Sequence, residues 1–302
     1  MLELRDITLG DKAWMQPLFE KSSFRSEEYN FTFNYMWREI LSFRVMEMDG
    51  FLIQKSDNDR PCYLFPPGGG KNIKPVVEAM IEDAKDCGHG FLFYTVLAEQ
   101  KALLEALFPD KFDYWPIPKY DDYIYEAQKL ITLSGKKLHS KRNHINRFMT
   151  TYPDWSYEEI TPLNMPEVIA MSQEWCKRNS CNSKSLQNEC SALHSALDDY
   201  FSLGLDGGII RVGGQVVAFS MGDRLTHDTY LVHVEKAYTE IHGSYAIINQ
   251  QFAKHNCADY TYINREDDSG DEGLRKAKLS YYPCMRTEKY AARLRHNVNQ
   301  GG

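Results

Sequence analysis

One order of apolar runs and turn signals occurs twice in this chain, and it limits what the chain can fold into. In the first half, Asp11 stands as an N-cap ahead of Trp14, Leu18 and Phe19 at helical spacing. Residues 43–54 read as a hairpin turning at Asp49 and Gly50, since glycine tolerates the positive φ of a tight turn. Residues 62–65 form a strand, and Gly68, Gly69 and Gly70 mark a loop. A helix then opens near Pro75 with Val76, Val77, Met80, Ile81 and Ala84 on one face, and residues 91–96 are the next strand. The second half repeats the order: a helix over 165–177, a hairpin over 208–219 turning at Gly213 and Gly214, and a strand over 229–235. A loop carrying Gly243 follows, then a helix with Tyr245, Ile248, Phe252 and His255 on one side, then a strand over 259–263. The residues of the halves do not match, so the repeat is architectural. It predicts an α+β fold with mixed, mainly antiparallel sheets in two domains, 1–130 and 159–302, joined by a linker over 131–158.

A length of 302 residues suits two domains, and 43% hydrophobic with 25% charged residues is the composition of a globular protein. The net charge of −7 excludes a protein that coats nucleic acid through bulk charge, though not one with a local basic groove. The chain has neither an apolar run of 18 residues nor a signal-peptide core after Met1. Seven irregularly spaced cysteines predict reduced thiols and a cytoplasmic location. Cys176, Cys181, Cys190 and His194 have the ligand types of a zinc site but lack a C-x-x-C pair, so no metal is expected. The oligomeric state is not legible.

Charge is concentrated in two segments. Residues 264–278 hold five acids and four bases, following a strand and leading into a helix that must stop near Pro283. On that helix Arg275, Lys278 and Tyr282 share one face, and Leu274, Ala277 and Tyr281 form the adjoining apolar stripe. Glu266 and Asp267 at the strand end, facing Arg275 and Lys278, suit acid–base chemistry, with Asn264 and Tyr282 beside them for substrate. The competing reading is a solvated, salt-bridged helix start. The linker holds five Lys and Arg and no acid over 136–147. Ser134 is positioned to cap its helix, and Leu138, Ile145 and Phe148 give an apolar stripe too narrow for full burial or for lying in a bilayer. Lys141, Arg142, Asn143 and Arg147 read as a wall for phosphate of a nucleic acid or lipid head group; the alternative is an exposed bridging helix.

Three antiparallel strands, a helix and a further strand resemble the GNAT acyltransferase plan, in which two strands splay and the loop before the helix binds pyrophosphate. Gly243 and Ser244 stand in that loop here, but Glu240 and Tyr245 replace the usual amide or base and small residue. A carboxylate there repels pyrophosphate, so acyl-coenzyme A is disfavoured and no cofactor is expected. Gly68 to Lys71 lack the Walker spacing and read as a turn. The blocks 133–148 and 264–283, with 32–37 and 63–68, resemble the soluble bacterial DUF2156-type family grouped with the C-terminal domain of phosphatidylglycerol lysyltransferases. That resemblance implies tandem GNAT-like domains similar to Fem aminoacyl transferases, an aminoacyl-tRNA donor and a lipid, peptide or small amine acceptor. It further implies Glu266 or Asp267 as base, Arg275 and Lys278 at the oxyanion or a phosphate, and Lys141, Arg142 and Arg147 on donor phosphates. Asp267, Arg275 and Lys278 are then expected in one cleft with Lys141 or Arg142. Three functions stay open: aminoacyl transfer, acyl-coenzyme A-dependent N-acyl transfer, and binding without catalysis on a duplicated scaffold.

Overall fold

Turn chemistry and apolar period place most elements where the residues predict them. The computed structural model describes residues 1–179 and 183–295. The first half comprises β1 (Arg5–Asp6), α1 (Lys12–Ser22), α2 (Phe31–Trp37), β2 (Phe43–Met48), β3 (Phe51–Ser56), β4 (Cys62–Tyr63) and α3 (Lys74–Asp86). β5 (Leu92–Leu97), α4 (Ala98–Leu107), β6 (Phe112–Pro116) and β7 (Tyr123–Glu126) complete it. α5 (Ala127–Thr132) and α6 (His139–Thr151) form the bridge. The second half comprises β8 (Ser156–Glu159), α7 (Met165–Asn179), α8 (Lys184–Asp198), α9 (Tyr200–Leu203), β9 (Asp206–Val212), β10 (Gln215–Arg224) and β11 (Thr229–Ala237). α10 (Ser244–Asn256), β12 (Tyr262–Asn264), α11 (Glu272–Leu279), β13 (Met285–Arg286) and β14 (Lys289–Leu294) follow. Both hairpins turn where glycine was expected to allow it, with φ of 53° and 81° at Asp49 and Gly50, and 58° and 77° at Gly213 and Gly214.

The strands form two sheets, each 7-stranded, ordered β1-β2-β3-β4-β5-β14-β6 and β8-β9-β10-β11-β12-β7-β13. Each is mixed: β4 with β5 and β11 with β12 are parallel, and the other pairs are antiparallel. The exchange is reciprocal. The last strand of each half, β7 or β14, leaves its own sheet and fills the same position in the other. Where the two crossing segments meet they bond directly: Asp122 N–H donates to Thr287 Oγ1 at 2.7 Å, and Lys289 N–H to Asp121 Oδ1 at 3.0 Å. One apolar core also spans both halves, joining Met15, Phe19 and Phe31 to Val168, Leu193, Ile209 and Phe219.

Three local readings need correction. Ser134 does not cap the basic helix, which begins at His139 with Leu138 in the cap position. Leu138, Ile145 and Phe148 are nonetheless the residues that α6 and its entry bury. On α11, Leu274 and Ala277 face solvent, and the residue the helix buries is Lys278. Cys176 of α7 and Cys190 of α8 form a buried disulfide, their Cα atoms 5.9 Å apart, which overturns the expectation of reduced thiols and removes the basis on which a compartment was inferred. It also leaves these two sulfurs unable to act as thiolate ligands; Cys181 lies outside the described residues. No helix among the described residues is long and apolar enough to cross a membrane.

Candidate active site

β11 and β12 run side by side only as far as Leu231 and Asn264. Beyond them β11 continues while the other chain turns off, opening a wedge. His233 and Glu235, two residues apart, line its β11 side; Arg265 and Glu266 form the other. The turn is built by a bulge: Arg265 N–H donates to Tyr123 O at 3.0 Å, and Tyr123 N–H to Glu266 O at 3.1 Å, so two residues oppose one. Glu266 takes φ of 58°, uncommon for a residue with a side chain. That conformation aims its carboxylate at His233.

His233 is fully enclosed between two acids, Nδ1 to Glu266 Oε1 at 3.0 Å and Nε2 to Asp223 Oδ1 at 3.1 Å. Burial disfavours the imidazolium, but Asp223 and Glu266 outweigh it and raise the His233 pKa to about 9. At neutral pH both ring nitrogens therefore donate. Asp223 is held in turn from the first half, accepting from Asn30 Nδ2 at 2.7 Å and Thr32 Oγ1 at 2.6 Å. Burial pushes the Glu266 carboxyl up, while His233 and Lys278 pull it back; the net direction is upward.

Behind the wedge lies a second ionic cluster, at the crossing of the exchanged strands. The Lys289 ammonium, fully buried, meets Asp122 at 2.5 Å, Glu28 at 2.8 Å and Glu27 at 3.6 Å. Against burial, Asp122, Glu28 and Glu27 hold the Lys289 pKa well above its ordinary value. Glu27, Glu28 and Asp122 bring carboxylate oxygens within 4.8 Å of one another, an arrangement suited to a cation, and the lysine supplies that charge. Asp267 joins this cluster through its N–H, which donates to Glu27 Oε2 at 3.2 Å. Burial, then Asp267 and Asp122, push the Glu27 carboxyl well above its usual range, while Lys289 pulls it back.

The family model described as phosphatidylglycerol lysyltransferase, C-terminal, matches residues 19–293. The chain belongs to this family. A conserved protein of unknown function from Bacteroides thetaiotaomicron is 43% identical, covers 98% of this chain and 100% of its own, and superposes with a TM-score of 0.93. The C-terminal domain (DUF2156) of a putative lysylphosphatidylglycerol synthetase from Agrobacterium fabrum shares 14% identity over 96% of this chain and 93% of that one, with a TM-score of 0.68. FemX, 8% identical over 97% of this chain and 98% of that one, superposes at 0.57. The resemblance read from the charged blocks is thus borne out, and so is the tandem GNAT-like fold.

Within this family fold the residues singled out from sequence separate into groups. Arg275 forms a two-pronged pair with Asp268, both distances 2.9 Å, while Asp268 also accepts from Tyr123 OH at 2.6 Å. Lys278 is buried; its ammonium donates to the carbonyls of Arg265, at 2.6 Å, and of Asp267. Both cations therefore hold the loop that presents Glu266 and Asp267. Asn264 is fully buried, donating to Arg25 O at 2.9 Å and Asp122 Oδ2 at 2.7 Å and accepting from Glu266 N–H at 2.7 Å. Lys141 reaches the other side of the wedge, its ammonium 4.0 Å from the Tyr281 ring centre, its pKa lowered by burial and by Arg265. Arg142 turns back onto the carbonyls of Leu133 and Gly135, while Asn143 and Arg147 face solvent and exposed Tyr282 lies 5.2 Å from the Lys137 ammonium.

The loop expected to meet pyrophosphate touches the basic helix at Gly243. Gly243 has φ of 85°, and a Cβ added there would stand 2.7 Å from His144 O and 3.0 Å from Phe148 Cβ. Ser244 is buried with its hydroxyl on Tyr238 O at 2.8 Å, and Glu240 pairs with Arg178 at 2.5 Å. The amides of the Gly68 loop are also engaged: Gly68 N–H donates to Ser22 Oγ and Gly69 N–H to Gly50 O. Sequence reasoning missed His233, Asp223, Glu27, Glu28, Asp122 and Lys289. A signal existed for the first: His233 stands between Val232 and Val234 in a mostly apolar strand, where an inward polar residue needs a partner.

Proposed function

We propose that this protein transfers an aminoacyl group from an activated ester, the 3′ end of an aminoacyl-tRNA, to an amine or hydroxyl of a lipid, peptide or small acceptor. Membership of the lysyltransferase C-terminal family supports the reaction class. The observation that favours this donor is the close packing of α6 on Gly243, the glycine of the loop that a coenzyme A pyrophosphate would have to meet. An aminoacyl ester is already activated, so one displacement suffices. Glu266 accepts the proton of the acceptor N–H or O–H as the nucleophile adds to the ester carbon. The oxyanion forms beside Arg265, which pairs with Glu235 at 3.0 Å, and Lys141, which lies 4.0 Å from the Tyr281 ring centre. The ester C–O bond then breaks, and Glu266 returns its proton to the departing ribose oxygen. His233 orients Glu266 throughout, and Arg275 and Lys278 fix the loop. Lys136, Lys137 and Arg147, on the outer face of the bridge, contact donor phosphates.

The test combines labelled aminoacyl-tRNA with anionic lipid, peptide and amine acceptors. Glu266→Gln is expected to lower transfer by about 100-fold or more, the ordinary share of a general base, while the variant stays folded and loses part of the stability that Glu266 lends through protonated His233. Micromolar acetyl-coenzyme A binding by calorimetry, with transfer from tRNA unaffected by Glu266→Gln, would sink the reading.

A further inference from the structure

Where α6 crosses the loop ahead of α10, two histidines meet that the transfer reaction does not use. His144 Nδ1 lies 3.2 Å from His242 Nε2, with the ring centres 5.1 Å apart and the planes inclined by 48°. Both backbones are held in place. His144 precedes Ile145, which with Phe148 anchors α6 in the core. His242 sits in a loop closed by Ile241 N–H to Tyr238 O at 3.2 Å, Ser244 N–H to Ile241 O at 3.1 Å and Ser244 Oγ to Tyr238 O at 2.8 Å. The two segments approach this closely because Gly243 has no side chain: a Cβ there would stand 2.7 Å from His144 O. The nitrogen separation fits two ligands of one ion. Imidazole nitrogens bound at about 2.0–2.1 Å from an ion, at the tetrahedral angle, stand roughly 3.3–3.4 Å apart. A hydrogen bond between the rings uses one proton at that place, and a metal ion can replace the proton and bond both nitrogens.

The donor set selects the ion. Imidazole nitrogen suits zinc, copper and nickel, whereas magnesium and calcium take oxygen. Among the described residues no third His, Cys, Asp or Glu joins the pair, so the remaining coordination positions belong to solvent. Glu240, two residues before His242, is engaged by Arg178. The other charges acting on His144 are Lys141 and Arg147 of its own helix, both cations, so binding rests on the two imidazoles alone. We infer that His144 and His242 form an open two-histidine site for a divalent transition-metal ion, which staples the basic bridge to the loop before α10. The site uses none of the residues lining the wedge and does not depend on the aminoacyl-transfer reading.

The experiment takes the untagged full-length protein, stripped with a chelator, and titrates it calorimetrically with zinc, nickel and magnesium chlorides. Zinc and nickel are expected to bind and to raise the melting temperature with concentration; magnesium should do neither. His144→Ala and His242→Ala should each weaken zinc by at least the roughly tenfold that even the outer partners of a metal ligand supply. His139→Ala, on the same helix, should leave zinc binding unchanged. Electron paramagnetic resonance with one equivalent of copper should show two nitrogen donors in the native protein and one in either alanine variant. His144 is exposed and His242 half-buried, so both variants should melt like the native protein without metal. Where one does not, His144→Gln or His242→Gln takes its place. Zinc affinity that survives both single substitutions puts the ion elsewhere on the surface and overturns the site. So does a loss on substituting only one of the two histidines, or a native copper spectrum with a single nitrogen. Zinc binding no tighter than magnesium overturns it as well.

Discussion

His233 is where a single residue connects structure to pH. Its folded pKa of about 9 lies above the ordinary 6.5, so the native state binds the proton more tightly than the unfolded chain. The resulting stabilisation is complete below pH 6.5 and is lost as pH rises through about 9. Denaturant unfolding at pH 6 and pH 10 should show a decrease, bounded by roughly 3 kcal/mol, that His233→Gln lacks. Asp268 behaves oppositely. Although burial raises it, Arg275 and Tyr123 lower its pKa to about 2, so its stabilisation is present above about pH 4 and lost as pH falls through about 2. Arg275→Ala removes the partner of a carboxylate that is 0% exposed. It should lower the melting temperature, though by less than breaking a fully buried pair would, because Arg275 itself is 40% exposed. An unchanged melting temperature would mean that Asp268 finds another donor.

Among the elements, α6 has two faces with separate tasks. Its inner face packs Ile145 and Phe148 into the core and presses His144 O against Gly243. Gly243→Ala introduces both a clash and an unfavourable φ, so α6 and α10 must move apart; a loss of roughly 2 kcal/mol in urea unfolding is expected. Its outer face leaves Arg147 in solvent, with Lys136 and Lys137 exposed just ahead of the helix. Replacing Lys137 and Arg147 by alanine should leave stability nearly unchanged and weaken tRNA binding. The slope of log affinity against log salt should become shallower by about 1 for each phosphate that is no longer neutralised. Weaker binding with an unaltered salt slope would place the tRNA elsewhere.

For the whole molecule, the exchange of β7 and β14 makes each sheet depend on the other half. A fragment ending near residue 158 lacks β14 and leaves a gap between β5 and β6. Such fragments should be unfolded by far-ultraviolet circular dichroism, and the intact chain should melt in one calorimetric transition. Two resolved transitions would contradict this. Lys289 sits at the crossing and neutralises acids contributed by the first half. Lys289→Met strands Asp122, Glu27 and Glu28 without a cation and should cost about 3–5 kcal/mol, largely recovered when Asp122→Asn is added.

The sequence by itself determined the elements that local rules govern. Glycines at positive φ placed both hairpin turns, and apolar spacing placed α3, α7 and α10. Leu138, Ile145 and Phe148 marked the buried stripe of the bridge, and the charged blocks carried the family. These signals survive without tertiary context because backbone sterics and residue period act over a few positions. Tertiary structure decided the rest. Whether β14 pairs with its own half or the other is a contest between distant partners that no local pattern encodes. The same holds for ionic partners: Arg275 faces Asp268 rather than Asp267, and Lys289 meets acids 167 and 261 positions away. His233 gains its role only when the wedge brings Asp223 and Glu266 to its two nitrogens. The pairing of charges is set by three-dimensional proximity in a low-dielectric interior, where an unpaired ion is too costly to leave, and sequence spacing carries no measure of that distance.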